Sequence, residues 1–399
     1  MSAEPVQDSG VVSYGSWDGY ERAIDPAAGT QLRANPPYLG QSTDTSCASP
    51  LTLGVVNTPT VAALTVNGTP TPAVFAGGGD GNFPAVDAST GAVIWQAPLA
   101  TPPDQVLWSS PLVCNGSIYE GAVLPRLPAG TRRGRPAGRG NRRGPQHPLP
   151  RARRLPGAGV RGSPTVDPAA GGIYFAAGNA APGGSPEPLA IALIETGSPL
   201  NVRSSWPVPS SQQPSTGSDF GSTPTLSTAT INGVARQMIG LQNKNGIYYA
   251  FNRSAISAGP RWQRRMSGGG VCPECVNGHG ADMSPSAHNG QHLFVGGEKT
   301  TINATTRAGS VRQLRPSTGA VVWSARLHSG PVIGAVTAVP GAAFAGAGNT
   351  AYALNTSTGA VLRKYQDSSS GSDFWGAPAI SNGHAYSGNQ DGTLYAFGT

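Results

Sequence analysis

Charge is scarce in this chain: Asp, Glu, Lys and Arg together make only 12% of its 399 residues. No stretch shows helical periodicity, and no run of about 18 apolar residues occurs, so no membrane-crossing helix is expected. The start, Met1-Ser-Ala-Glu-Pro-Val-Gln7, has no basic segment followed by an apolar one, so no secretory leader is written there. Strand-like sequence begins almost at once, at Val11-Val-Ser-Tyr-Gly-Ser-Trp17, and the expectation is a chain met part-way through a module, its leader lost upstream. Catalytic signatures are missing too. No G-x-S-x-G elbow occurs, and His279, His288, His292, His328 and His384 have no catalytic partner spacing, so nothing supports a hydrolase.

What is abundant is glycine (56) and proline (37), the profile of an all-β protein with many short strands and tight turns. One phrase recurs in near-copies: Asp87-Ala-Ser-Thr-Gly-Ala-Val-Ile-Trp95, Arg315-Pro-Ser-Thr-Gly-Ala-Val-Val-Trp323 and Asn355-Thr-Ser-Thr-Gly-Ala-Val-Leu-Arg363. A polar–Thr–Gly turn between two β-branched runs is a hairpin, and its repetition implies an array of like modules that bury a core only by stacking. The full module reads as a first strand opened by Ser/Thr-Pro, a second ending in a glycine-rich turn, a third with Tyr-Ala-Leu/Phe, then Asp/Asn-x-x-Thr-Gly and a last strand. First strands are expected near Thr58-Pro59, Ser110-Pro111, Ser163-Pro164, Thr223-Pro224, Ser284-Pro285, Gly330-Pro331 and Ala377-Pro378. Small residues on both faces of these strands suit sheets stacked face to face, as in propeller blades.

The fold expected is therefore a single β-propeller domain, 1–399, of four-stranded blades. Eight blades are expected, with seven as the alternative. They run over 55–99, 106–158, 160–208, 220–266, 281–327, 330–366 and 374–399, with a partial blade at 11–38. In the seven-blade version Gln31-Leu-Arg-Ala completes the last blade; in the eight-blade version 11–38 is the remnant of a blade whose inner strands lie upstream.

The phrase Tyr-Ala-Leu/Phe-Asn/Asp-x-x-Thr-Gly-x-x-x-Trp resembles the pyrroloquinoline-quinone (PQQ) repeat. Quinoprotein alcohol dehydrogenases share it with the outer-membrane assembly lipoprotein BamB and with many secreted bacterial propellers. The likeness covers the chain apart from about residues 120–160, and it is specific for fold rather than activity. For a dehydrogenase it implies PQQ between apolar faces, calcium on oxygen ligands and a carboxylate base. It also implies an adjacent Cys-Cys pair, which this sequence lacks.

Residues 122–158 break the module with crowded Arg, Pro and Gly. Ten of the 27 cationic residues lie there, from Arg126 to Arg154, and without them 17 positive residues face 20 negative ones. The net charge of +7 thus belongs to one segment and carries no nucleic-acid reading. Arg139-Gly-Asn-Arg-Arg-Gly144 can be encoded as CGC GGC AAC CGG CGC GGT, which one base later reads Ala-Ala-Thr-Gly-Ala-Val, the module's own phrase. A compensated frameshift over roughly 123–157 and a genuine irregular insert are both open, and either leaves a disrupted blade around 120–160.

Among the four cysteines, Cys272-Pro-Glu-Cys275 is followed by Val276 where c-type haem attachment needs His. A structural disulfide between Cys272 and Cys275 is expected, which favours an oxidising compartment; zinc or a redox dithiol are the alternatives. Cys47 and Cys114 are read as a loop thiol and a strand thiol. Trp17, Trp95, Trp206, Trp262 and Trp323 recur near strand ends and are read as inter-blade packing. Trp108 and Trp375 stand beside first strands, facing the central channel, and are the candidate cofactor-binding residues. Asp219, Asp282 and Asp373 are the candidate metal carboxylates, two of them in the related phrases Asp219-Phe-Gly-Ser and Asp373-Phe-Trp-Gly, whose alternative role is turn capping. The functional expectation is an extracellular or periplasmic, monomeric, non-catalytic binding scaffold, taking a protein or polysaccharide on its rim loops. The alternative is a dehydrogenase of alcohols or sugars dependent on PQQ and calcium, or a degenerate derivative of one.

Overall fold

The computed structural model describes residues 3–44, 51–123, 158–180, 190–195, 201–213, 218–270 and 283–398. They form antiparallel β-sheets with two short 3-10 turns. Seven sheets of three to five strands are present. Their innermost strands are Val6–Asp8, Thr60–Val66, Thr165–Asp167, Thr225–Ile231, Ala287–His288, Thr337–Val339 and Ala379–Ser381. Seven blades match the alternative count rather than the eight expected; between the second and third of them the hairpin Leu112–Cys114/Ser117–Tyr119 stands in the ring as a two-stranded sheet, just before the arginine segment. Each innermost strand touches the next, and Val6–Asp8 touches Ala379–Ser381, so the ring is closed. The arginine segment itself, 124–157, lies outside the described residues.

Two expectations about the ends of modules change. The amino-terminal sheet is not a remnant: Val6–Asp8, Val11–Gly15, Glu21–Asp25 and Thr30–Gln31 make a complete four-stranded blade. Its short inner strand is polar (Val-Gln-Asp), which hid it, and Thr30–Gln31 pairs with that blade rather than completing the last one. The last blade, Ala379–Ser381, His384–Gly388 and Leu394–Phe397, has three strands. Gly330-Pro331 does not open a strand either; the chain runs on in a loop and the strand starts at Thr337.

The Thr-Gly phrase is the hairpin between third and fourth strands. Asp87 Oδ1 accepts from the N–H groups of Ser89 and Thr90, and Asn355 Oδ1 from those of Ser357 and Thr358. The loop then closes through a glycine at positive φ, Gly91 (78°) or Gly359 (72°). The fourth-strand tryptophan of one blade lies under the turn of the next. Trp262 Nε1 donates to Pro316 O (2.7 Å) and Trp323 Nε1 to Thr356 O (3.0 Å), with Gly319 and Gly359 lying directly over the two indoles. These tryptophans do pack between blades, as their spacing implies.

The core is accordingly a ring of inter-blade layers. Tyr174, Ile191 and Leu193 meet Ile239, Tyr249 and Phe251 of the following sheet, and Phe294 and Val311 meet Ala343, Ala345 and Leu354. Near the axis a second ladder joins neighbours. The N–H of Glu4 donates to Thr58 Oγ1, Thr58 N–H to Ser110 Oγ, Ser110 N–H to Ser163 Oγ and Ser163 N–H to Thr223 Oγ1, all at 2.9–3.1 Å. This is the physical content of the Ser/Thr-Pro phrase. The hydroxyl accepts the N–H of the preceding blade, and the proline that follows has no N–H to leave unpaired at the crowded axis.

Candidate functional site

The residue four places before each innermost strand stands on the loop face, around the mouth of the channel. From the second blade onward these are Val56, Trp108, Arg161, Gly221, Met283, Ile333 and Trp375. Here the repeat stops repeating: seven equivalent places hold six residue types. Trp108 and Trp375, singled out from sequence, both belong to this ring. Trp375 packs against Trp17 with ring centroids 6.2 Å apart, and Trp17 and Trp108 rest on the same apolar cluster of Leu53, Val56 and Val106. The Arg161 guanidinium lies 5.2 Å from the centroid of the Trp108 ring, a cation–π contact. Arg161 also reaches Met283 Sδ at 4.0 Å. That reach crosses the place of Gly221, where an added Cβ would come within 2.6 Å of Met283 Cγ. Trp17, Arg161 and Met283 were not legible as site residues. Trp17 looked like the other blade-packing tryptophans, and the other two acquire meaning only once the blades are set in register.

Two Asp-Phe phrases, Asp219-Phe-Gly-Ser222 and Asp373-Phe-Trp-Gly376, anchor this face. Phe220 and Phe374 are fully buried. The backbone beside each bonds the turn between second and third strands of its own blade: Lys244 N–H donates to Asp219 O, and Gln390 N–H to Asp373 O, both at 3.1 Å. Asp219 is itself buried and forms an ion pair with buried Lys244, Nζ to Oδ1 at 2.5 Å. Asp373 N–H makes a second link to this turn by donating to Gln390 Oε1. Asp282, Cys272, Cys275 and Cys47 lie outside the described residues, as does His279. Cys114 is a free thiol closing the strand Leu112–Cys114. No three His, Cys, Asp or Glu side chains gather to hold a metal among the described residues.

Below the mouth, an axial cavity of about 610 Å³ is bounded by four innermost strands, with Glu4, Gln7, Thr58, Thr60, Thr337 and Ser381 on its wall. Burial pushes the Glu4 carboxyl up to about 7. A second carboxyl, Glu120, is raised well above the ordinary range by burial, with the Ser109 hydroxyl beside it partly offsetting the effect.

The closed ring of four-stranded sheets and the Thr-Gly hairpins tucked over tryptophans decide the architecture. The fold is a β-propeller, similar to that of the PQQ-repeat proteins. Residues 249–399 match the family model described as outer membrane protein assembly factor BamB. Among solved structures, the quinohemoprotein alcohol dehydrogenase of Comamonas testosteroni is similar at TM-score 0.65 and 15% identity, over 97% of this chain and 70% of that one. A europium-containing methanol dehydrogenase gives 0.64 and 15%, over 99% and 82%. BamB from Moraxella catarrhalis gives 0.57 and 12%, over 100% and 94%. No curated protein sequence matches the chain. At these identities the likeness carries the fold alone.

A PQQ-repeat propeller that oxidises alcohols needs a flat apolar slot for the quinone and converging oxygen ligands for calcium. The described residues of this chain do not fit that pair. The Trp108 face carries Arg161, the Asp219 carboxylate carries Lys244, and Trp375 packs on Trp17.

Proposed function

We propose that the protein is a non-catalytic binding propeller, working outside the cytoplasm, that takes a polysaccharide or protein segment across the loop-face mouth of its channel. One observation carries this reading: Trp375, Trp108 and Arg161 stand at ring positions where the repeat itself demands nothing, with Trp17 packed against Trp375 beside them. Indole faces pack against sugar rings and apolar side chains, and a guanidinium supplies fixed hydrogen-bond donors beside them. The family likeness to BamB is compatible with a scaffold role.

Titration of the purified protein with a panel of polysaccharides and extended peptides, read by tryptophan fluorescence and calorimetry, tests it. A saturable ligand whose binding is lost in Trp375→Ala and Arg161→Ala supports the mouth as the site. Binding that both variants leave intact refutes it. The second reading is a PQQ- and calcium-dependent oxidation of alcohols or sugars, which rests on the fold shared with the dehydrogenases. Dye reduction by the protein reconstituted with PQQ and calcium, absent when either is left out, would establish that reading instead.

A further inference from the structure

The end of the propeller opposite the mouth holds a feature the binding reading does not use. In the blade of Thr225–Ile231, Val234–Asn243, Ile247–Asn252 and Trp262–Arg265, the turn Asn243–Gly246 faces the mouth. The tip Asn232-Gly233 and the connection from Asn252 to Arg261 therefore lie at the far end of this antiparallel sheet. Between them is a cavity of about 310 Å³ whose wall includes Arg236, Arg261, Asn232 and Asn252, with buried Met238 beneath.

The wall is built of donors. Arg236 and Met238 share one face of their strand, two residues apart, and Met238 stands opposite Asn252 across the ladder. Asn252 Oδ1 already accepts from the N–H (3.2 Å) and hydroxyl (2.9 Å) of Ser254, so its NH₂ is the part left to offer. The Arg261 backbone is fixed by its N–H donating to Ala250 O at 2.7 Å. The nearby Arg253 pairs with Asp167 at 3.1 Å, but neither Arg236 nor Arg261 has a carboxylate partner among the described residues, and no acidic side chain lines the cavity. Two permanently charged guanidiniums share one small space that offers donors and no countercharge.

We propose that this cavity is an oxyanion site for a phosphoryl group, whose tetrahedral oxygens accept from both guanidiniums and the Asn252 amide at once. Arg forks match such oxygens in pairs, which a single lysine would not. The group has two sources, free phosphate or a phosphomonoester at a lipid surface, and both meet the same donors.

Calorimetric titration of the full chain with inorganic phosphate at fixed ionic strength, paired with sedimentation with vesicles containing phosphatidic acid, tests this. Saturable phosphate binding is expected. Arg236→Gln and Arg261→Gln should each weaken it about tenfold or more, as expected for one charge-assisted contact of roughly 1.5–3 kcal/mol. Asn252→Asp, which places an acceptor on the wall, should abolish it. Arg363→Gln, on the exposed outer strand Val361–Gln366, should leave it unchanged. Vesicle binding lost in the same variants would assign the source to a headgroup, and phosphate binding alone to a soluble anion. No saturable binding in either arm overturns the proposal. So does equal weakening by Arg363→Gln, which would mean attraction to overall charge.

Discussion

Glu4 makes the stability of this propeller fall as pH rises from 4.5 to about 7, and Glu4→Gln should remove that fall. Its carboxyl sits on the axial wall with burial as the cause that lifts its pKa from 4.5 to about 7. Between those values the folded chain holds a proton that the unfolded chain has released. The unfolded state therefore binds fewer protons, and unfolding free energy declines with rising pH. The contribution is fully present below pH 4.5 and is lost as pH passes through about 7. At about 1.4 kcal/mol per unit the loss is about 3 kcal/mol, nearer 2 once the part of the side chain that still meets solvent is allowed for. For a chain of 399 residues that is a midpoint shift of about 2–4 °C. Melting of wild type and Glu4→Gln at pH 5 and pH 8 reads it directly. The variant should match wild type at pH 5 to within a small constant offset and exceed it by those degrees at pH 8. An offset that is the same at both pH values, or that shrinks toward pH 8, would refute the assignment.

Asp219→Asn should cost about 3–5 kcal/mol by removing the counter-charge of buried Lys244, while Asp219→Asn with Lys244→Met should recover most of it. Denaturant midpoints of the two variants check this, and a double variant no better than the single one would place the role of Asp219 elsewhere. Gly359→Ala and Gly29→Ala share the strain of a positive φ, 72° and 66°, worth about 1–2 kcal/mol. Only Gly359 would also drive a Cβ to 2.5 Å from the Trp323 ring, adding about 1–3 kcal/mol, whereas Gly29 meets nothing within 4 Å. Equal melting losses would contradict the packing of turns over tryptophans. Arg161→Ala should change Trp108 emission and cost no more than about 1 kcal/mol of stability, since a part-exposed cation–π contact is small.

How much of this was written in the sequence depends on the range of the interaction. The Thr-Gly hairpins were legible because every bond that makes them spans a few residues, as between Asp87 and Thr90. The tryptophan layers followed because stacking repeats. What escaped was long-range or locally featureless. Val-Gln-Asp at 6–8 shows no alternation that would mark a strand, yet its place between Thr60–Val66 and Ala379–Ser381 makes it one. Trp17 meets Trp375 across the closure of the ring, a contact no local pattern announces. Asp219 was read as a metal carboxylate or a turn cap, and the lysine that holds it, Lys244, lies in the turn between the second and third strands of its blade, 25 positions along the chain.

The site became readable in a different way, by subtraction. A propeller repeat explains what recurs: the glycine over an indole, the hydroxyl before a proline, the aspartate that caps a turn. Packing therefore accounts for residues that are alike at equivalent places and is silent about those that are not. Four residues before the innermost strand, the backbone is anchored at two places by Asp-Phe phrases, but the side chain runs from none at Gly221 to indole at Trp108 and Trp375. Gly221 shows why such variety is not neutral. Its missing side chain is what lets Met283 approach Arg161, so one place in the ring is shaped by the occupants of two others. Gly221→Ala is the discriminating case. If the ring serves only the fold, the added methyl should cost stability in proportion to its clash with Met283 and leave ligand binding untouched. If the ring is a recognition surface, displacing Met283 should move Arg161 off Trp108 and weaken the ligand more than it weakens the fold. Calorimetry and melting on the same protein separate the two.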